Sequence, residues 1–490
     1  MKKLLFGILT TVSLTATAQN MQVSEWISST ETKPWQTKKL NKEKSSQKAV
    51  EVFTNKSLQK IEGFGSCFNE LGWTSLNQLN SVDKETIFKE LFTKEGANFT
   101  ISRMPIGAND FSRDWYSYDE TDGDFEMKNF SIKNDYETLI PFIKSAQKYN
   151  SSLKLWASPW SPPTWMKYNK HYALNKAPSV MQQVDNGIND NQLVKEGTDN
   201  FIQEDRYFKA YALYFKKFVE AYKKENIKIS MVMPQNEFNS AQWYPSNTWT
   251  PKGLSKFISF LGPEMKKSGV DIFFGTLERG NPALFSEVYK NPESGKYIKG
   301  LGVQWAGKEA VSQIHKEYPN LTIYQSEHEC GNGKNDWAYA EYSWDLMKHY
   351  FLNGTSSYLY WNTSLLKGGV SRWGWTQNSL VTVDSQNKTY HWNPEFYLMK
   401  HFSHYVQPGA VLLETSSASV EKHRNDVLGW WEGNLSSNAD NILAFKNPDN
   451  SIAIITYNDE AISKQLHLKV NNLDLNPILE AKSFNTILIK

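Results

Sequence analysis

From residue 60 onward the chain alternates short apolar runs with longer amphipathic stretches, the pattern of repeated β–α units around a parallel sheet. The apolar runs are Ile61 to Ser66, Phe99 to Ile106, Leu153 to Pro159, Ile227 to Pro234, Asp271 to Leu277, Ile298 to Trp305, Leu321 to Ser326 and Ser357 to Trp361. Helical segments are predicted between and after them. These are Val82 to Phe92, Tyr136 to Tyr149, Asp205 to Glu225, Pro251 to Lys267, Pro282 to Tyr289, Glu309 to Tyr318, Ala338 to Asn353 and Pro394 to His404. The third is the clearest, because Tyr207, Tyr211, Leu213, Tyr214, Phe218 and Tyr222 recur near a 3.6-residue period with lysines between them. Eight strands, each followed by a helix, predict an α/β fold of the (β/α)8 TIM-barrel type, closed so that no strand edge is free.

The flanks read differently. Val23 to Ile27 and Ala49 to Phe53 on one side, and Ile442 to Phe445, Ile452 to Tyr457, Gln465 to Val470 and Thr486 to Ile489 on the other, are short strand patterns separated by turn signals such as Asn447-Pro448-Asp449-Asn450. Neither flank is long enough to make a convincing domain alone. The two are expected to pair into one side β-sandwich, with residues 19–59 and 407–490 supplying its parts and residues 60–406 forming the barrel. The longest polar excursion, Asn169 to Glu204, follows the third strand and is a candidate lid or wall. Residues 1–18 have the form of a cleavable leader: Lys2-Lys3, an apolar run from Leu4 to Leu14, and Ala16-Thr17-Ala18 before Gln19. A secreted or periplasmic location follows as an expectation, and no later window has the roughly 20 apolar residues of a membrane span.

Charge narrows the partners. Lys and Arg number 54 against 52 Asp and Glu, and loss of Lys2 and Lys3 with the leader balances the two signs. Such a surface argues against nucleic acid or an anionic membrane as the partner, and a monomer is expected. Only Cys67 and Cys330 are present, so the chain is no disulfide scaffold. Free buried thiols are the expectation, a single bridge the alternative. The 18 Trp, 24 Tyr and 26 Phe fill a large core, and rings of this kind also stack on sugar faces.

In a TIM barrel the residues ending the strands converge on one mouth. Here those ends bring Arg103 with Asp110 beyond it, Trp156 to Trp160, Asn236-Glu237, Gln304-Trp305, Ser326-Glu327-His328-Glu329 and Tyr360-Trp361-Asn362. Glu237 alone would read as a strand emerging into water. In company it does not: carboxylates, an amide, an arginine and tryptophans meet without lysine and without metal-ligand spacing, so neither metal nor cofactor is expected. Two carboxylates across a barrel mouth suit glycosidic hydrolysis, with one as acid and base and the other as nucleophile or water activator. Glu237 and Glu327, on strands four and seven, fit this as a pair on opposite sides of the ring. Glu329 reads either as a substrate hydroxyl acceptor or as a solvated loop carboxylate. Trp373-Gly374-Trp375 reads either as an aromatic rim or as loop packing. A metal-dependent barrel hydrolase is the weakest alternative.

The stretches Ile101 to Ile106, Asn109 to Ser112, Tyr116 to Tyr118 and Leu155 to Trp165, with Gly63-Phe64-Gly65, Gln235-Asn236-Glu237, Ser326-Glu327 and Tyr360-Trp361-Asn362, resemble glycoside hydrolase family 30 in order and over nearly the whole chain after the leader. That family includes the lysosomal glucosylceramidases and bacterial β-1,6-glucanases. The resemblance implies a barrel with a side sandwich built from both termini, a retaining mechanism and an oligosaccharide or glycoconjugate substrate. By resemblance Glu237 is the acid/base and Glu327 the nucleophile. Asn236 resembles the amide that holds the sugar 2-hydroxyl, and Arg103 the arginine that steadies the carboxylates. Asp110 and Trp160 resemble the pair gripping hydroxyls at the far edge of the sugar, and Trp361 its aromatic wall. The chain departs from the glucosylceramidases after strand six, where Gln304-Trp305-Ala306 replaces His-Trp-Tyr. Without that tyrosine Glu327 takes its hydrogen bond from elsewhere, and the pocket beside Ala306 widens. A catalytically inactive sugar-binding barrel is the alternative function, since fold alone does not guarantee catalysis.

Overall fold

The structure, a computed structural model, describes residues 21–40, 45–179, 181, 184–425 and 431–490. The leader reading of residues 1–18 lies outside them. Two strands, β1 (Val23–Ser29) and β2 (Val50–Lys60), precede the barrel. The barrel strands are β3 (Gly63–Cys67), β4 (Ile101–Pro105), β5 (Lys154–Ser158), β6 (Ile229–Val232), β7 (Asp271–Leu277), β8 (Ile298–Gln304), β9 (Thr322–Glu327) and β10 (Thr355–Asn362). Each lies in or overlaps one of the eight apolar runs. They close in the order β9-β10-β3-β4-β5-β6-β7-β8, all parallel. The ring places β7 and β8 between β6 and β9, so the strands of Glu237 and Glu327 are separated by two neighbours rather than by a diameter.

The Gly63-Phe64-Gly65 motif has a packing reason. A Cβ on Gly65 would lie 1.8 Å from the Ile101 carbonyl oxygen, so only glycine lets β3 approach β4.

The helices around the ring are α1 (Glu70–Leu76), α2 (Ser81–Phe92), α3 (Leu139–Gln147), α4 (Asp205–Lys224), α5 (Pro251–Ser268), α6 (Ala283–Lys290), α7 (Lys308–Glu317), α8 (Trp337–Leu352) and α9 (Pro394–Ser403). Of the residues whose period marks α4, Tyr211, Tyr214, Phe218 and Tyr222 are buried while Tyr207 and Leu213 are half-buried, and Phe208 and Phe215 complete the buried face. Helix α5 starts where Thr250 accepts from Gly253 N–H with Pro251 in the first turn, and stops at Gly269 with φ +69°. Helix α1 was not predicted. Seven residues make too short a window for periodicity to show.

After the barrel come β11 (Val411–Thr415), β12 (Ser419–Asn425), β13 (Glu432–Asn438), β14 (Ile442–Lys446), β15 (Ile452–Asn458) and β16 (Ser483–Ile489). Both ends of the chain enter one nine-stranded sheet, in which β1 pairs β16 and β2 pairs β11, both antiparallel. Alternation along these strands serves two cores. On β14 and β15, Leu443, Phe445, Ala453 and Ile455 pack with the barrel's hydrophobic core, while Ile442, Ala444, Ile452 and Ile454 face the sheet's own. The hairpin β12–β13 stands apart as a two-stranded sheet. Cys67 and Cys330 are both buried and free. Among the described residues, no helix is long and apolar enough to cross a membrane.

Candidate active site

Strand β6 ends at Val232, and the residues after it leave regular β geometry while pinned between neighbouring strand ends. Gln235 N–H donates to Gly275 O at 3.2 Å, Asn236 N–H to Pro159 O at 2.7 Å, and Glu237 N–H to Thr276 Oγ1 at 2.8 Å. Glu237 takes φ +44°, a left-handed conformation that costs a non-glycine residue on the order of 1 kcal/mol or more. Adjacent residues in a strand point apart; this turn frees Asn236 and Glu237 from that rule.

Arg103, fully buried on β4, joins the parts. Its Nη1 donates to Glu327 Oε2 at 2.7 Å and to Ser326 O at 3.2 Å. Its Nη2 donates to Asn236 Oδ1 at 2.6 Å and to Ser158 Oγ at 2.9 Å. The guanidinium also lies within 4.5 to 5.4 Å of the Trp160, Trp156 and Trp361 ring centres. A bare buried guanidinium would be costly, and Glu327 compensates it. Asn236 Oδ1 accepts two further bonds at 3.2 Å, from Thr276 Oγ1 and Gln304 Nε2, which turns the NH2 of the amide away from these partners.

Glu327 also accepts from Trp305 Nε1, at 3.2 Å, through its other oxygen. The bond that the missing tyrosine would make therefore comes from the indole before Ala306, held at φ +46°. Among the described residues Glu237 accepts from neutral donors, Tyr244 O–H at 3.0 Å and Gln242 Nε2 at 3.4 Å, both to Oε2. Burial, then repulsion from Glu327 and Glu278, pushes the Glu237 carboxyl up to about 8. Burial also raises Glu327, but there the Arg103 charge and the Trp305 and Arg103 hydrogen bonds oppose it. Burial comes first in both, and in Glu237 it stands ahead of like-charge repulsion. The two carboxyls thus differ in kind: one is favoured as an acid, the other has a cation to keep it ionised.

Both line a cavity of about 470 Å³, with Asp110, Trp305 and Glu329. Asp110 Oδ1 is buried without a hydrogen-bond partner among the described residues, and burial lifts its carboxyl well above the usual range, with Glu327 and Glu237 adding to the effect. Trp160 and Trp361 stack on each other at 5.1 Å and are not among the lining residues; they lie against the Arg103 guanidinium, as Asn236 lies against its Nη2. The solvated reading of Glu329 is overturned. It is 4% exposed and paired with Lys308 Nζ at 2.9 Å. Trp375 lines the cavity while Trp373 is packed behind it, so the aromatic loop is rim and filler at once. Pro178 and Met181 bring the excursion after β5 to the wall. Tyr244, Gln242, Glu278, Lys308 and Trp431 also line the cavity, and sequence reading missed them because they sit in loops, a helix start and a side strand that no period marks. Among the described residues, no group of three or more His, Cys, Asp or Glu side chains is placed to hold a metal ion.

Comparison with known proteins agrees with this geometry. The chain is 29% identical over 444 residues to Putative glucosylceramidase 1 of Caenorhabditis elegans, covering 86% of this chain and 77% of that protein. It is 26% identical over 385 residues to the endo-1,6-beta-D-glucanase neg1 of Aspergillus fumigatus, covering 74% and 73%. The crystal structure of SrfJ from Salmonella typhimurium superposes with a TM-score of 0.79 over 95% of this chain and 98% of that one, at 22% identity. The profile of the glycosyl hydrolase family 30 TIM-barrel domain matches residues 61–406, and that of the family's beta sandwich domain matches residues 434–487. The chain is a glycoside hydrolase and belongs to family 30.

Proposed function

We propose that this is an exported, retaining β-glycosidase that hydrolyses β-linked hexosides, of the glucoside or β-1,6-glucan kind, by double displacement. The observation that carries the reading is the asymmetry of the two carboxyls: Glu327 is bound to a buried guanidinium, while Glu237 accepts from neutral donors and is pushed up to about 8. In the first step Glu327 attacks the anomeric carbon as Glu237 gives its proton to the leaving oxygen, and the glycosidic C–O bond breaks. In the second, Glu237 takes a proton from water, whose oxygen attacks the same carbon and releases Glu327. The names of the relatives, glucosylceramidase and endo-1,6-glucanase, support a glucosyl unit in the reacting position. The leader-like residues 1–18 support export.

A panel of aryl β-glucoside, β-galactoside, β-fucoside and β-xyloside tests the reading, with Glu327→Gln as control. We expect turnover of at least one substrate, a loss of about 10⁴-fold or more in the variant, and a β-anomer as the first product seen by proton NMR. An initial α-anomer would defeat the retaining assignment. Binding without turnover by the unaltered protein would instead favour an inactive sugar-binding barrel.

A further inference from the structure

The cavity continues past the catalytic pair toward the ends of β7 and β8, where its chemistry changes. Glu278, the residue after β7, is 3% exposed. Its Oε1 accepts from Asn239 N–H at 3.0 Å and Ser240 Oγ at 2.9 Å, with Arg279 Nε 3.8 Å away. Its Oε2 is buried with no hydrogen-bond partner among the described residues. Glu278 lines the cavity, and burial raises its carboxyl to about 7. Beyond Ala306, Lys308 Nζ and Glu329 Oε1 pair at 2.9 Å, and Tyr342 O–H donates to Glu329 Oε2 at 3.1 Å. Lys308 Nζ also lies 4.2 Å from the ring centre of Trp431. Trp431 sits beside the start of β13, so the polypeptide after the barrel completes the barrel's cavity.

This corner spans the two carboxyls: Glu278 accepts from Asn239 N–H and Ser240 Oγ, two and three residues beyond Glu237, and Lys308 pairs with Glu329, two residues beyond Glu327. Asp110 and the arginine-bound tryptophans belong to the ends of β4, β5 and β10. The leaving group departs toward the residue that protonates it, so whatever leaves must enter the corner of Glu278 and Lys308. A hydrocarbon chain there would lie against a carboxyl and an ion pair and return no hydrogen bond. A sugar ring returns both parts: hydroxyls for the carboxylates and ammonium, and an apolar C–H face for the indole.

We propose that Glu278, Lys308, Glu329 and Trp431 form a second sugar-binding subsite that takes the leaving-group saccharide, so that the substrate is a glycan cleaved between two sugars rather than a sugar on a lipid. The inference rests on the glycosidase reading, with Glu237 as the acid.

The test compares kcat/KM of the unaltered protein and Trp431→Ala on the best aryl β-glycoside of the panel and on β-1,3-, β-1,4- and β-1,6-linked oligosaccharides of the same sugar. Glucosylceramide in detergent micelles is the lipid arm, and Glu278→Gln is the second variant. Trp431→Ala should lower kcat/KM on the oligosaccharide roughly tenfold more than on the aryl glycoside, and Glu278→Gln should do likewise. Equal losses on both substrates, or none, would overturn the subsite, as would a higher kcat/KM on glucosylceramide than on every oligosaccharide. Calorimetric binding of β-1,6-gluco-oligosaccharides to Glu327→Gln, with and without Trp431→Ala, reads the subsite without turnover. A roughly tenfold weaker complex supports it; equal affinity or no binding overturns it. A protein inert on every aryl glycoside but still binding through Trp431 would sink the glycosidase reading and leave the subsite standing.

Discussion

Asn236 has its carbonyl oxygen held by Arg103, Thr276 and Gln304 at once. With three donors on Oδ1, the amide cannot flip without orphaning them, and on the proposed mechanism its NH2 donates to the sugar 2-hydroxyl. A bond to the sugar 2-hydroxyl gains strength as positive charge grows at the adjacent carbon. Asn236→Ala should therefore depress kcat by about 10²-fold or more on a normal sugar and much less on its 2-deoxy analogue. Equal penalties in that double cycle would make Asn236 a scaffold residue. Glu237 gives a pH prediction. As the acid it works protonated, so kcat/KM should fall as pH rises through about 8, the level to which burial, Glu327 and Glu278 push it. The sign for stability is the same: its folded-state value is raised, so stability is full below the ordinary carboxylate range and lost as pH rises toward about 8. Glu237→Gln should abolish the alkaline limb measured on an activated aryl glycoside and raise Tm most at alkaline pH. An unchanged limb would move the proton donor elsewhere. Glu237, Glu327 and Arg103 were legible in the sequence because chemistry-bearing types end apolar runs. The role of Glu329 was not, because its partner Lys308 starts a helix in another unit, and alternation along a strand says nothing about partners.

At the scale of elements, the hairpin β12–β13 is held to helix α8 by charge. Asp345 on α8 is 1% exposed and reaches Lys422 Nζ at 3.2 Å and Arg424 Nε at 3.4 Å on β12, with Lys348 Nζ of its own helix at 3.4 Å. Lys348 is fully buried, and burial lowers its ammonium to about 8 even with Asp345 beside it. Asp345→Ala would leave that cation without its carboxylate, a change costing about 3 to 5 kcal/mol where a buried pair is broken from one side. We expect faster hydrogen exchange across residues 419–425 and 432–438 and a lower Tm; unchanged exchange in both strands would show that the charges do not hold the hairpin. Barrel strands announce themselves because both of their faces are buried and their sequences stay apolar. Strands β12 and β13, Ser419–Asn425 and Glu432–Asn438, are nearly all polar; β12 is largely exposed, while β13 buries Leu435, Ser437 and Asn438. No hydrophobic pattern marks them, and Trp431 was hidden with them.

For the whole molecule, the eight-stranded ring and the joining of both flanks could be read from period and turn signals, whereas the docking of sheet against barrel could not. That contact is made by alternate residues of strands such as β14 and β15, which look alike whichever core they serve. Strand β16 pairs with β1 on one side and β15 on the other, with Trp26 opposite Ile487 and Ile454 opposite the same residue. Removing Ser483 to Lys490 should therefore unpair two strands at once and yield a chain without a cooperative thermal transition, as circular dichroism would record. A sharp transition in the truncated chain would show the barrel to be independent of the sheet. The same pairing has a consequence in time. Ser24 bonds to Leu488 across 464 residues, so during synthesis the first strand has the short strand Gln36–Thr37 on one edge and its other edge open until Ser483–Ile489 has left the ribosome. Barrel units can collapse behind it in the order they appear, but the first strand cannot join them. For most of its synthesis the nascent chain carries a partly apolar strand with one edge open, the feature that chaperones bind and that seeds aggregation. Chains stalled before residue 483 should thus be cut by protease within residues 22–60, and released chains that include residues 483–490 should resist.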